Sequence, residues 1–393
     1  MSGSVIVAGA RTPIGKLSGA LGGFAATELG GFAIAAALDR AGVRPDQVDY
    51  VFMGQVIQAG AGQITARQAA TKGGIPMDVP STTVNKVCLS GLNAIYLADL
   101  LIAAGQADIV VAGGMESMTQ APYLLPGARG GYRIGDQTVV DSMMYDGLFC
   151  AFDQCAMGLG TERYNGADGV SRDRQDAFSA LSHERAAAAI KDGKFAEEIV
   201  PVSVAQRKGD PIVVDTDEGV RPETTAESLG KLRPAFDKNG TITAGNASQI
   251  SDGGAAVIVM SRAKAEELGV TPLGELVSYG QVAGPSPSLL HQPSHAIKVA
   301  LERKGMAIGD IDLFEINEAF AAVGLASSDD LGIPGDVVNV NGGAIALGHP
   351  VGMSGTRVAL TALLELKRRG GGTAAVSLCG GGGQGDAAIL RTL

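Results

Sequence analysis

Apolar positions along this chain switch repeatedly between a helical period and an extended one, and the switch occurs twice in the same way. The stretch Ala33–Gly54 (AIAAALDRAGVRPDQVDYVFMG) aligns without gaps to Ala296–Asn317 (AIKVALERKGMAIGDIDLFEIN), with Ile34, Leu38, Arg40, Gly42 and Asp49 meeting Ile297, Leu301, Arg303, Gly305 and Asp312. Each copy predicts an amphipathic helix, a turn and a short apolar strand. Further along, Ser90-Gly91 and the apolar-periodic run Leu92–Ala104 correspond to Ser354-Gly355 and a helix through Leu366. The strand Ile109–Gly114 likewise corresponds to Ala375–Gly381.

Beyond these strands the copies diverge. The second closes at once through Gly385-Asp386-Ala387-Ala388-Ile389-Leu390, whereas the first reaches its counterpart, Gly253-Gly254-Ala255-Ala256-Val257-Ile258, only after a long excursion. The chain therefore reads as two pseudo-symmetric α/β halves. Residues 1–118, completed by 251–270, form the first half, 119–250 an inserted loop domain, and 271–393 the second half. Strands alternating with helices imply mixed or parallel sheets covered by helices. Within the insertion, Arg172–Asp192 reads as an alanine-rich helix, while Met118–Gly135 and Arg207–Lys238 read as loops of a length reserved for covers or subunit contacts.

Composition narrows the classes. Glycine, at 57 of 393 residues, has about twice its usual share and clusters at Gly113-Gly114, Gly342-Gly343 and Gly380–Gly383. Such clusters suit loops where backbone approaches backbone or ligand closely. A net charge of −10 argues against nucleic-acid or anionic-membrane binding. No stretch reaches the roughly 18 apolar residues of a membrane span, and Met1–Ala10 lacks a basic leader before Val5-Ile6-Val7, so the reading is cytosolic. Four cysteines and four histidines, without HExxH or CxxC, speak against a disulfide scaffold and against zinc. None of the glycine clusters forms the G-x-G-x-x-G fingerprint of a dinucleotide site.

The candidate chemistry lies at corresponding turns. In Asn85-Lys86-Val87-Cys88-Leu89-Ser90-Gly91 an extended run ends and a helix begins, so Cys88 is either a small core residue or a nucleophile beside a helix N-terminus that favours its thiolate. The repeat puts Cys88 opposite Val351, two residues from His349 in NGGAIALGHP, so both occupy the loop before a helix. The repeat also sets Asn317 at a strand end, as it does Gly54, and Cys379 ends a strand that leads into Gly380–Gly383. Ligands of open α/β sheets gather at such ends. His349 can take the proton of Cys88, a second cysteine can act as acid or base at carbon, and loop N–H groups with the Asn317 amide can hold an oxyanion. That set suits carbon–carbon bond making or breaking on a thioester.

The stretches NKVCLSGLNAI, EINEAFA, NVNGGAIALGHPVGMSGTR and SLCGGGGQGDAAI resemble the signatures of the thiolase family over essentially the whole chain. The resemblance implies a five-layered αβαβα fold of two repeated halves with an inserted loop domain, and a tetramer or dimer. It implies that Cys88 accepts the acyl group, that His349 activates it, that Cys379 is the second acid/base, and that Asn317, through a water it holds, and His349 form an oxyanion hole. It implies a second oxyanion hole from the Cys88 and Gly381 N–H groups. No cofactor is expected to be held permanently; coenzyme A thioesters are the expected substrates. Arg221, Ser228 and Phe236 resemble the nucleotide-contacting stretch and Ser248 the pantetheine-contacting one, with Met157, Ala319 and Phe320 beside them. The expected reaction is the reversible condensation of two acetyl-CoA molecules, with a broader 3-ketoacyl-CoA thiolase or a non-catalytic CoA-ester carrier as alternatives. Two departures stand out. Ala156 precedes Met157 where short-chain members often carry His-Met, and Met353 replaces a residue that is commonly small.

Overall fold

A computed structural model describes residues 3–393. The first half supplies strands β1 (Ser4–Arg11), β2 (Tyr50–Gly54), β3 (Ser81–Val84), β4 (Ile109–Ser117) and β5 (Ser251–Ser261). The second supplies β6 (Gly274–Ala283), β7 (Leu313–Ile316), β8 (Thr373–Gly380) and β9 (Gln384–Arg391). They lie in the order β3-β2-β4-β5-β1-β6-β9-β8-β7, which reads the same from either end once β1 is matched to β6, β5 to β9, β4 to β8 and β2 to β7. The place of β3 is taken in the second half by an isolated parallel bridge from Phe314 to Val338. The two halves join edge to edge through the antiparallel pairs Val5↔Glu275 and Ile6↔Gly274, which makes one continuous ten-stranded sheet with a short Gly15–Lys16 strand on β5.

The helices fill the layers that the apolar periodicity demands. Helix α1 (Ala26–Ala41) buries Leu29, Ala33, Ile34, Ala37 and Leu38, and Gly42 ends it in the left-handed conformation. Helix α2 (Thr65–Lys72) packs beside it. The equivalent of α1 in the second half is α6 (Gln292–Glu302), on β6 and β9. Between the two sheet halves run α3 (Ser90–Ala103) and α8 (Ser354–Arg368), which contact each other and strands of both halves. A five-layered αβαβα fold results.

The repeated Ser-Gly pairs let these central helices meet. A Cβ on Gly91 would stand 2.7 Å from Thr356 Oγ1, and one on Gly355 would stand 2.3 Å from the Leu92 nitrogen. Both helices therefore begin against one another, stapled by the Thr356 hydroxyl donating to the Gly91 carbonyl at 3.1 Å.

The insertion, residues 118–250, contains α4 (Met157–Asp168), α5 (Arg172–Lys191) and little other regular structure. Helix α5 is capped by Ser171, whose hydroxyl accepts from the Arg174 N–H. Buried charge ties the insertion to the core. Arg11, fully enclosed, donates to Asp217 and Glu198, and Glu198 also accepts from Thr361 of α8. Removing one partner of such a network leaves an uncompensated buried charge, a cost of about 3–5 kcal/mol. Helix α7 (Ala321–Leu331) completes the second half beside α5 and α6.

Candidate active site

The cysteine turn is shaped by its neighbours. The Asn85 side chain accepts from the Val87 N–H at 3.1 Å, and the Ser90 hydroxyl accepts from the Lys86 N–H at 2.8 Å while donating to the Val87 carbonyl at 2.6 Å. These local bonds bend the chain so tightly that Val87 sits at φ 51°, a conformation that costs a β-branched residue of order 1–3 kcal/mol. Lys86 then anchors the turn to β9 with Nζ 2.7 and 2.8 Å from the two Asp386 oxygens. Cys88 emerges at the foot of α3, buried against Val56, Ile57, Met118 and Val351.

Its protonation differs from the sequence expectation. Burial pushes the Cys88 thiol up to about 12, and its own backbone N–H only partly opposes that; the charge of Glu116 adds to the rise. Desolvation outweighs the helix N-terminus because the sulfur is walled off from water. The resting group is a thiol, and a proton acceptor must act as it attacks.

His349 has the properties of that acceptor. Burial, helped by Arg357, lowers its imidazole to about 3, so the ring is neutral. The Ser354 hydroxyl donates to the Pro350 carbonyl at 3.0 Å and therefore receives the Nδ1–H of His349 at 2.6 Å. This network fixes the tautomer and makes Nε2 an acceptor, which receives a long 3.4 Å hydrogen bond from the Asn317 amide N–H. Asn317 follows β7, pinned by its N–H to the Ser377 carbonyl at 2.9 Å, and its Oδ1 is buried with no partner.

The glycine loop brings in the second thiol. Gly380 lies against Leu89 and Gly381 against Val87, where added Cβ atoms would approach to 2.7 and 3.3 Å. Cys379 thus comes within electrostatic reach of Cys88; burial first, and the Cys88 charge second, hold it well above the ordinary thiol range. It packs with Leu289, Leu290, Ala319 and Val323.

A cavity of about 460 Å³ reaches His349 and Val351, which stand in its wall; Cys88, Cys379 and Asn317 do not line it. Met157, Arg221, Phe236, Ser248 and Phe320 line it, and Ala156 stands among them. The rings of Phe236 and Phe320 meet edge to face at 6.3 Å, and Gly158 leaves room for Phe236 because any Cβ there would strike that ring at 2.2 Å. Ala319 is behind the wall, its carbonyl accepting the Ser248 N–H at 3.0 Å. Ser228 is elsewhere. It is exposed and spent on a capping box with Thr225, so it does not line the cavity. Met353 is also outside, fully buried with Ile14, Ala255, Ala346 and Leu347 beneath the histidine loop. Its bulk fills core.

Two groups escaped the sequence reading. Ser354, singled out only as a helix start, orients His349. Glu116 lies fully enclosed and accepts from Val56 N (2.9 Å), Ile57 N (3.1 Å) and Gly352 N (3.0 Å), so one carboxyl holds the loop walling Cys88 and the loop carrying His349. A lone acid in the apolar strand Ile109–Ser117 was the available signal. Among the described residues no His, Cys, Asp and Glu cluster suits a metal ion.

Comparison with known proteins decides the family. Residues 4–263 match the N-terminal thiolase domain and residues 270–392 the C-terminal thiolase domain. The chain belongs to the thiolase family. Within that family it is 60% identical to the probable acetyl-CoA acetyltransferase of Mycolicibacterium smegmatis, across 98% of this chain and all of the relative. It is 58% identical to the probable acetyl-CoA acetyltransferase of Mycobacterium tuberculosis and 53% identical to the acetyl-CoA acetyltransferase of Cupriavidus necator, over the full length of each chain.

Proposed function

We propose that the protein is an acetyl-CoA C-acetyltransferase, working through an acyl-cysteine and using coenzyme A thioesters without a resident cofactor. The observation that supports this reading is the junction of the Cys88 turn with the Gly380–Gly383 loop, which brings Cys379 within electrostatic reach of Cys88, while Cys88 packs on Val351, two residues from the neutral His349 in the cavity wall. In the first step the Cys88 sulfur attacks the thioester carbonyl while its proton passes to His349 Nε2, and the departing coenzyme A thiolate takes the proton of Cys379, leaving that sulfur as a thiolate. In the second, the Cys379 thiolate so formed removes a proton from the methyl carbon of a second acetyl-CoA, the resulting carbanion displaces the acyl group from Cys88, and the Cys88 sulfur takes its proton back from His349. The Asn317 amide serves the oxyanion of one step, and the Cys88 and Gly381 N–H groups that of the other. Arg221 and Ser248 serve the coenzyme. Thiolysis is the reverse.

The test is ping-pong kinetics with recovery of a labelled acyl-Cys88 peptide; a Cys88→Ser protein of near-normal rate would refute the assignment. A broader 3-ketoacyl-CoA range draws support from the small Ala156 side chain in the cavity wall. Relative rates on C4 and C8 to C16 ketoacyl-CoA decide between them, and any turnover excludes a mere carrier.

The same reading takes 1–118 with 251–270, 119–250 and 271–393 as its structural units, and places the enzyme in the cytoplasm. No helix among the described residues is long and apolar enough to cross a membrane. The loop Met118–Asp141 exposes Tyr123, Leu125, Ile134 and Val139, with Ile134 94% accessible, and serves as the contact of a homodimer or tetramer. Light scattering on an Ile134→Glu protein tests this: a mass unchanged from the parent removes the loop from the interface.

A further inference from the structure

We propose that Cys150 and Cys155 form a second, non-catalytic thiol site, a dithiol that closes to a disulfide and latches one wall of the cavity. Two two-residue strands, Phe149–Cys150 and Cys155–Ala156, pair antiparallel with Cys150 directly opposite Cys155. Directly opposed residues of an antiparallel pair have Cα atoms about 4.5–5.5 Å apart, within the roughly 4.4–6.8 Å that a disulfide spans. Both thiols are free and buried. Their surroundings are polarised: the Cys150 sulfur accepts from the Asp153 N–H at 3.4 Å, and the Arg163 guanidinium stands 3.7 Å from the Cys155 sulfur. Cys155 also sits just before α4, so the hairpin runs directly into that helix.

The hairpin is part of the cavity. Met144 and Leu148 before it, and Ala156 and Met157 after it, line the space that holds His349. At its tip, exposed Phe152 lies on Gly382, where an added Cβ would meet the ring at 2.8 Å. Holding the strands together thus fixes the wall and the glycine loop after Cys379.

The oxidant is a small-molecule disulfide. The Cys155 thiolate attacks one of its sulfurs and expels one thiolate; Cys150 then attacks the Cys155 sulfur and expels the second. Two protein S–H groups lose two electrons and two protons, and one external disulfide becomes two thiols.

The whole protein is incubated with oxidised glutathione and digested with a protease that cuts before aspartate, which separates Cys150 (146–152) from Cys155 (153–167). The expected product is a disulfide joining these two peptides, with Cys88 and Cys379 still alkylatable. Recovery of Cys150 and Cys155 as mixed glutathione disulfides, or a cross-link to Cys88, overturns the proposal. The latch itself rests on the acyltransferase reading. Oxidation is expected to change KM for the acyl-CoA at least threefold with kcat within twofold, reversibly with dithiothreitol and not in Cys150→Ser. An unchanged KM in fully cross-linked protein refutes the latch, whereas a cross-link in a protein without turnover refutes the activity alone.

Discussion

The two halves follow one plan up to the end of their third matching strands, and there they part. After β4 the chain leaves through residues 118–250, whereas after β8 it turns straight back through Gly381–Gly383 into β9. The first half carries the strained cysteine turn, and its excursion supplies most of the cavity wall. The second half carries a neutral histidine, an asparagine and a second thiol, and its tight turn puts bare backbone against Val87 and Leu89, the residues on either side of the first cysteine. A duplicated scaffold thus places functional groups symmetrically, while the lengths of its connections decide which half binds and which presents backbone to the reacting atoms.

The sharpest break in this division of labour is chemical. Cys88→Ala is expected to lower condensation and thiolysis by about 10³-fold or more and to abolish acyl labelling. Cys379→Ala is expected to retain labelling at Cys88 from radioactive acetyl-CoA while turnover drops about 10²–10⁴-fold, as for loss of a general acid or base. Equal loss of labelling in both would erase the distinction.

Next in size is the contact the halves share. Gly355→Val forces atoms into the α3–α8 crossing, where even a Cβ would lie 2.3 Å from the Leu92 nitrogen; a loss of about 3 kcal/mol in urea unfolding is expected. The surface change Gly370→Ser, past the opposite end of α8, meets nothing within 4 Å, though its φ of +89° leaves a smaller strain cost of about 1–2 kcal/mol.

The neutral histidine has a pH signature. Its folded value of about 3 lies below the ordinary 6.5, so its contribution to stability is complete above pH 6.5 and fades as pH falls toward 3. Over that window the unfolded chain binds the extra proton, and the contribution shrinks by about 1.4 kcal/mol per pH unit. The wild-type denaturation midpoint is therefore expected to fall more steeply between pH 6.5 and 4.5 than that of His349→Gln; parallel slopes would place a charged ring in the folded state.

The mildest change probes the excursion. Ala156→Phe narrows the cavity wall without touching the thiols, and the rate on C8 relative to C4 ketoacyl-CoA is expected to fall about tenfold.

Much of this arrangement was legible because the repeat is written in apolar periodicity. Ala33–Gly54 and Ala296–Asn317 aligned without gaps, and they form α1 with β2 and α6 with β7. The alanine-rich run became α5 ending at Lys191, one residue before the expected Asp192. What periodicity omits is three-dimensional. Nothing local announced that β1 and β6 fuse the halves into one sheet, a contact made by four residues. The Cys88 turn advertised a helix dipole, yet the thiol is governed by burial, which no single stretch records. Ser228 carried the composition of a ligand contact and is consumed by its own helix cap. Met353 was anomalous beside the histidine loop because its function is volume on the far side of that loop.

The short seam between β1 and β6 has a consequence for the architecture. Only two residue pairs stitch the sheet there, while α3 and α8 share one buried core with strands of both halves. A chain nicked between the halves at residues 271–273 should therefore stay assembled, and separately expressed fragments should find each other. The fold behaves as an internal dimer whose subunits happen to share one polypeptide.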